Sequence, residues 1–153
     1  MAGFKVLGFN HTNFTVSDLD RAIGFFRDLL GFELLSVAPR DPALMERMTG
    51  LPRPELMIAF LKGPGHTIEL IEYRTPADRG RVRGRLCDAG SSHLALDVDD
   101  AAAAVAGARA WGFAPVGEII EIDAGPNRGS RVVYVQDGDG VTIEFIQKPD
   151  GGG

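Results

Sequence analysis

Apolar residues recur along this chain at two spacings, and the order in which the spacings alternate occurs twice. From Leu7 to Val16 the pattern has a period of two, which predicts a strand. Phe9, His11, Asn13 and Thr15 fall on one face of it, so His11 is expected mid-strand among polar neighbours. Asp18 then fits a helix N-cap, followed by Leu19, Ala22, Ile23, Phe26, Leu29 and Leu30 as one helical stripe. Gly31 is placed to end that helix in a left-handed conformation. Phe32 to Ala38 reads as a second strand. Residues 39–54 are an excursion framed by Pro39, Pro42, Pro52 and Pro54, with a short helix over Ala43 to Met48. Such an excursion is a lid or a self-packed surface loop. Glu55 to Lys62 and His66 to Tyr73 read as strands joined by the turn Gly63-Pro64-Gly65.

After a polar linker over 74–90, the same order returns. Ser91 to Val98 predicts a strand containing His93. Asp99 or Asp100 caps an alanine-rich helix that reaches Trp111 and ends at Gly112. Phe113 to Ile122 reads as strand, 124–130 as loop, and Arg131 to Gln136 as strand. Asp137-Gly138-Asp139-Gly140 signals a hairpin turn before a last strand, Val141 to Gln147.

Laid over each other, the halves match where chemistry is possible. His11 falls on His93, Asp18 on Asp100, and Gly31-Phe32 on Gly112-Phe113. Thr67-Ile68-Glu69-Leu70-Ile71 falls on Thr142-Ile143-Glu144-Phe145-Ile146. A carboxylate within a buried strand is costly unless it is paired, protonated or bound to a cation. Its recurrence with a matching histidine gives a donor set of two imidazoles and two carboxylates. If a pseudo-twofold related the halves, His11, Glu69, His93 and Glu144 would converge. Such a mixed N/O set suits Zn, Ni, Co, Mn or Fe(II). The repeat is read as two tandem βαβββ modules, an α+β fold. Module one spans 5–73, the linker 74–90 and module two 91–148, within one domain of 1–148. Residues 149–153 are expected to be a flexible tail.

Composition narrows the partners. A net charge of −5 argues against a general nucleic-acid binder. No apolar run is long enough to span a membrane. The N-terminus lacks the apolar segment of a secretory signal, and Cys87 has no intrachain cysteine to pair with. A cytoplasmic location is therefore expected.

Residues 5–148 resemble the vicinal oxygen chelate superfamily of glyoxalase I, methylmalonyl-CoA epimerase, extradiol dioxygenases and drug-resistance proteins. The motifs that carry the likeness are Asn10-His11-Thr12, Arg27-Asp28-Leu29-Leu30-Gly31-Phe32, the two Thr-Ile-Glu stretches, Ser92-His93-Leu94-Ala95 and Asp139-Gly140-Val141. The resemblance implies an open, barrel-like cleft and makes His11, Glu69, His93 and Glu144 the metal ligands. It further implies a homodimer and a small carbonyl or acyl-CoA substrate. Glu69 or Glu144 would be the proton-transferring base, with Glu46 on the excursion as another candidate. Two histidines and two glutamates resemble the glyoxalase I set, so a glyoxalase I-like lyase or isomerase is expected. An epimerase of the methylmalonyl-CoA type and a non-catalytic antibiotic-binding protein are the alternatives. A ring-cleaving dioxygenase fits less well, because its ligands come from a single module. No glutathione-gripping pattern is found beyond Arg27, Arg40 and Asn127. The arginines at 74, 79, 81, 83 and 85 are either an anion site or a solvated linker. Phe60, Met57 and Trp111 either line the cleft or fill the core.

Overall fold

The computed structural model describes residues 3–82 and 84–149. The Gly151–Gly153 part of the expected tail, with Asp150, lies outside them, as does Arg83. The fold is α+β, with two sheets and few helices, and the chain divides into two compact units between Arg79 and Gly80.

The first unit runs β1 (Thr12–Thr15), α1 (Leu19–Gly24), β2 (Glu33–Pro39), α2 (Pro42–Thr49), β3 (Leu56–Gly63) and β4 (His66–Tyr73). Its sheet has the order β1-β4-β3-β2, with β1 parallel to β4 and the other pairs antiparallel. Asp18 caps α1, accepting from the Arg21 N–H at 2.9 Å. The helix then widens into a π-helical turn over Phe25–Leu29 and closes at Gly31, whose φ of 73° is left-handed. That turn brings Phe25 and Phe26 into the core, where Phe26 stacks on Phe14. Phe14 faces Leu70 in the register, so the helix covers the face built by Ala59, Leu61, Ile68 and Leu70, all 0% exposed. The opposite face carries Phe60 and Glu69. At one end of that face, Met45 of α2 packs on Leu56, Ile58 and Ile71, with Phe60 and Tyr73 alongside.

The second unit runs β5 (Leu94–Val98), α3 (Ala101–Arg109), β6 (Ala114–Pro115), β7 (Ile120–Glu121), β8 (Arg131–Gln136) and β9 (Thr142–Gln147). Its sheet has the order β5-β9-β8-β6, with β7 also on β8 and β5 parallel to β9. Both βαβββ modules are therefore present. Among the described residues no helix is long and apolar enough to cross a membrane.

Three strands differ from expectation. The first begins at Thr12, not Leu7, and β5 begins at Leu94, not Ser91. The parallel registers explain both. Thr12 faces Ile68 and Leu94 faces Ile143, so upstream residues soon run past the first residues of β4 and β9. His11 and His93 consequently sit just before their strands rather than within them. The expected strand over 113–122 is split into β6 and β7. Residues 116–119 span a gap that only Val133 and Tyr134 span on β8, so the extra backbone leaves the ladder. Pro115 and Gly117 suit that departure.

Candidate metal centre

Each unit brings one sequence-predicted histidine onto its glutamate. His11 Nε2 lies 3.3 Å from Glu69 Oε2, and His93 Nε2 lies 3.1 Å from Glu144 Oε2. The register shows how. Each glutamate is on the last strand of its unit, and each histidine precedes the parallel neighbour strand by one residue. The two side chains are then diagonal neighbours on one face. The carboxylates are embedded, with side chains 14% and 13% exposed, whereas the imidazoles are 33% and 41% exposed. An embedded carboxylate beside a partly exposed imidazole is a candidate donor pair.

A hydrogen bond sets the first pair's tautomer. Asn10 Oδ1 is 2.6 Å from His11 Nδ1. The amide oxygen can only accept, so Nδ1 donates to it, and Nε2 is the ring nitrogen that faces Glu69. Asn13 Nδ2 donates to Glu69 Oε2 at 3.2 Å and to its main-chain oxygen at 3.4 Å. Phe60 faces Glu69 across the ladder and meets His11 edge-on, with ring centroids 5.7 Å apart.

The second pair is built alike but satisfied differently. Tyr134 faces Glu144 and meets His93 edge-on at 5.2 Å, so it stands where Phe60 stands in the first unit. Burial, and then the neighbouring Glu144 carboxylate, raise the phenol above its ordinary value. Ala95 takes the place of Asn13, facing Glu144 as Asn13 faces Glu69.

Both glutamate strands are also tied to their helices. The first helical N–H of α1, from Leu19, donates to Glu72 Oε2 at 2.7 Å, and that of α3, from Ala101, to Gln147 Oε1 at 3.1 Å. Glu72 and Gln147 each lie three residues after the candidate glutamate. Sequence reasoning missed these ties, and it missed Asn10, Asn13 and Tyr134 as partners. The shared offset from Glu69 and Glu144 was the available signal for the first two.

The donor types fit half of a mixed N/O metal set in each unit. Among the described residues no group of three or more His, Cys, Asp or Glu side chains is gathered. The third histidine, His66, is engaged elsewhere, with Nε2 2.8 Å from Thr12 Oγ1. Glu46 is exposed on α2. Of the anion candidates, Arg27 is paired with Asp28 at 2.6 Å, Arg81 with Asp139 at 3.1 Å and Arg85 with Asp88 at 2.8 Å. Arg79 donates to the Arg74 and Pro76 carbonyls, and Arg74 Nε lies 4.0 Å from Glu72. Arg79 and Arg85 thus bond within the 74–88 segment.

Residues 8–145 match the model of a family described as the Glyoxalase/Bleomycin resistance protein/Dioxygenase superfamily. The chain is 35% identical over 147 residues to a 2-epi-5-epi-valiolone epimerase from Actinomyces sp., covering 93% of this chain and 80% of that one. It is 34% identical over 145 residues to a lactoylglutathione lyase from Haemophilus influenzae, covering 90% of each. Among solved structures, a glyoxalase family protein from Bacillus cereus superposes with a TM-score of 0.83 at 26% identity, over 97% of this chain and 98% of that one.

Proposed function

This chain belongs to the glyoxalase/bleomycin resistance protein/dioxygenase superfamily, and from that membership we propose that it is a metal-dependent lyase or isomerase of the glyoxalase I-like type. The carrying observation is the matched pairing of an imidazole Nε2 with an embedded glutamate at the same place in both units. His11, Glu69, His93 and Glu144 would hold one divalent ion, of Zn, Ni, Co, Mn or Fe(II). Bound there, the ion supplies a Lewis acid for a carbonyl oxygen of the substrate.

The chain's own residues do the rest. Asn10 holds the Nδ1 side of the His11 ring, with Nε2 turned toward Glu69. Glu69 or Glu144 takes a proton from the carbon beside the carbonyl and returns it. Return to the neighbouring carbon is an isomerisation. Return to the opposite face of the same carbon is an epimerisation, and the relative named as an epimerase favours that second reading. A homodimer and a cytoplasmic location are part of the same reading.

The test is solvent-proton exchange. Metal-loaded protein is incubated in deuterated water with hemithioacetals, acyl-CoA epimers and cyclic polyhydroxy ketones, and the substrates are analysed by mass spectrometry. Metal-dependent deuterium incorporation into one class supports the proposal and identifies the class. A metal-loaded protein that exchanges none of them contradicts it and favours a non-catalytic small-molecule binder.

A further inference from the structure

The sequence predicts a strand from Leu7, yet β1 begins at Thr12. The segment before it is apolar and uncovered. Phe4, Val6, Leu7 and Phe9 are 74%, 83%, 96% and 99% exposed. Among the described residues, no main-chain hydrogen bond ties 4–9 to the rest of the chain. Leu7 and Phe9 fall on one face of an extended arm and Phe4 and Val6 on the other, so both faces are apolar. A run of large apolar side chains on an unpaired main chain is costly in water and marks a contact surface.

We propose that residues 4–9 dock on a second copy of this chain, the two arms being exchanged about a twofold axis. This rests on the homodimer of the reading above and names the segment that makes it. Three observations favour this occupant. Lys5 is the sole charged residue of 4–9, in a chain of net charge −5, so the arm meets an acidic body without like-charge repulsion. A second copy also offers an acceptor, because β2 is an edge strand that exposes Leu35 and Val37 beside an open ladder. The area suffices as well. Phenylalanines bury about 150–250 Å² each. Two arms, with the surfaces they cover, therefore reach the roughly 1,200–2,000 Å² of a standard interface. A lone Lys5 is too little charge to hold an anionic lipid surface. The arm runs directly into Asn10 and His11, so its seat adjoins the first donor pair.

The test is a double variant, Leu7→Asp with Phe9→Asp, examined by sedimentation equilibrium. Both side chains are almost fully exposed in the single chain, so the fold of each unit should survive, which far-ultraviolet circular dichroism checks. Wild-type protein should sediment at twice the 16.4 kDa of the chain and the variant at 16.4 kDa. The dimer dissociation constant should rise on the order of 100-fold, as for the loss of central apolar anchors. Hydrogen exchange reads the same contact in the wild type and needs no variant. The amides of 4–9 should be protected in the dimer and lose that protection on dilution. A folded variant that stays dimeric overturns the proposal, as does a wild-type dimer whose 4–9 amides exchange freely. In either case the homodimer itself survives. A wild type that is monomeric at every concentration removes both. Flotation of that monomer with phosphatidylcholine vesicles, abolished in the variant, would then assign the arm to a lipid surface.

Discussion

At the level of single residues, the site depends on small polar partners as much as on the donors. Asn10 holds the Nδ1 side of the His11 ring and so orients Nε2 toward Glu69. Asn10→Ala should therefore weaken metal binding about tenfold, measurable by chelator competition, with little change in melting temperature. His11, Glu69, His93 and Glu144 were visible in the sequence because the repeat preserves residue type at those positions, and each histidine meets its own glutamate. Asn13 and Tyr134 were not visible, because the repeat does not preserve them. Asn13 is answered by Ala95 and Tyr134 by Phe60, and only the strand register shows that these positions correspond.

At the level of elements, helix caps and strand ends were set by different physics. Asp18, Asp100 and Gly31 marked their helices correctly because capping is local, whereas α3 stops at Arg109, short of the expected Trp111 and Gly112. Strand starts at Thr12 and Leu94 depend on where a partner far along the chain begins, which periodicity cannot report. The break between β6 and β7 is likewise a mismatch with β8. Two substitutions test the packing of the first unit by urea denaturation. A Cβ at Gly63 would lie 2.3 Å from the Phe32 ring. Gly63→Ala should thus cost about 1–3 kcal/mol through overpacking. Glu72→Ala removes a charged acceptor from the Leu19 N–H, a 2.7 Å bond, and should cost about 1.5–3 kcal/mol. It should loosen α1 from the strand that carries Glu69.

Across the whole chain, duplication is the feature that made the fold readable. Each unit repeats strand, helix and three further strands, with α2 as an addition to the first and a broken strand in the second. The same duplication gives each unit one imidazole and one carboxylate, which is half of the donor set that the proposed chemistry needs. Light scattering should give a mass near twice the 16.4 kDa of the chain if the homodimer is formed. The central claim, that these four side chains bind a catalytic metal, is tested most directly by elemental analysis. Wild-type protein, His11→Ala and Glu144→Ala are each incubated with Zn, Ni, Co, Mn or Fe(II) and then desalted. Near-stoichiometric retention of at least one metal by the wild type, lost in both variants, is the predicted result. A wild type that retains none, or variants that retain as much as the wild type, would contradict it.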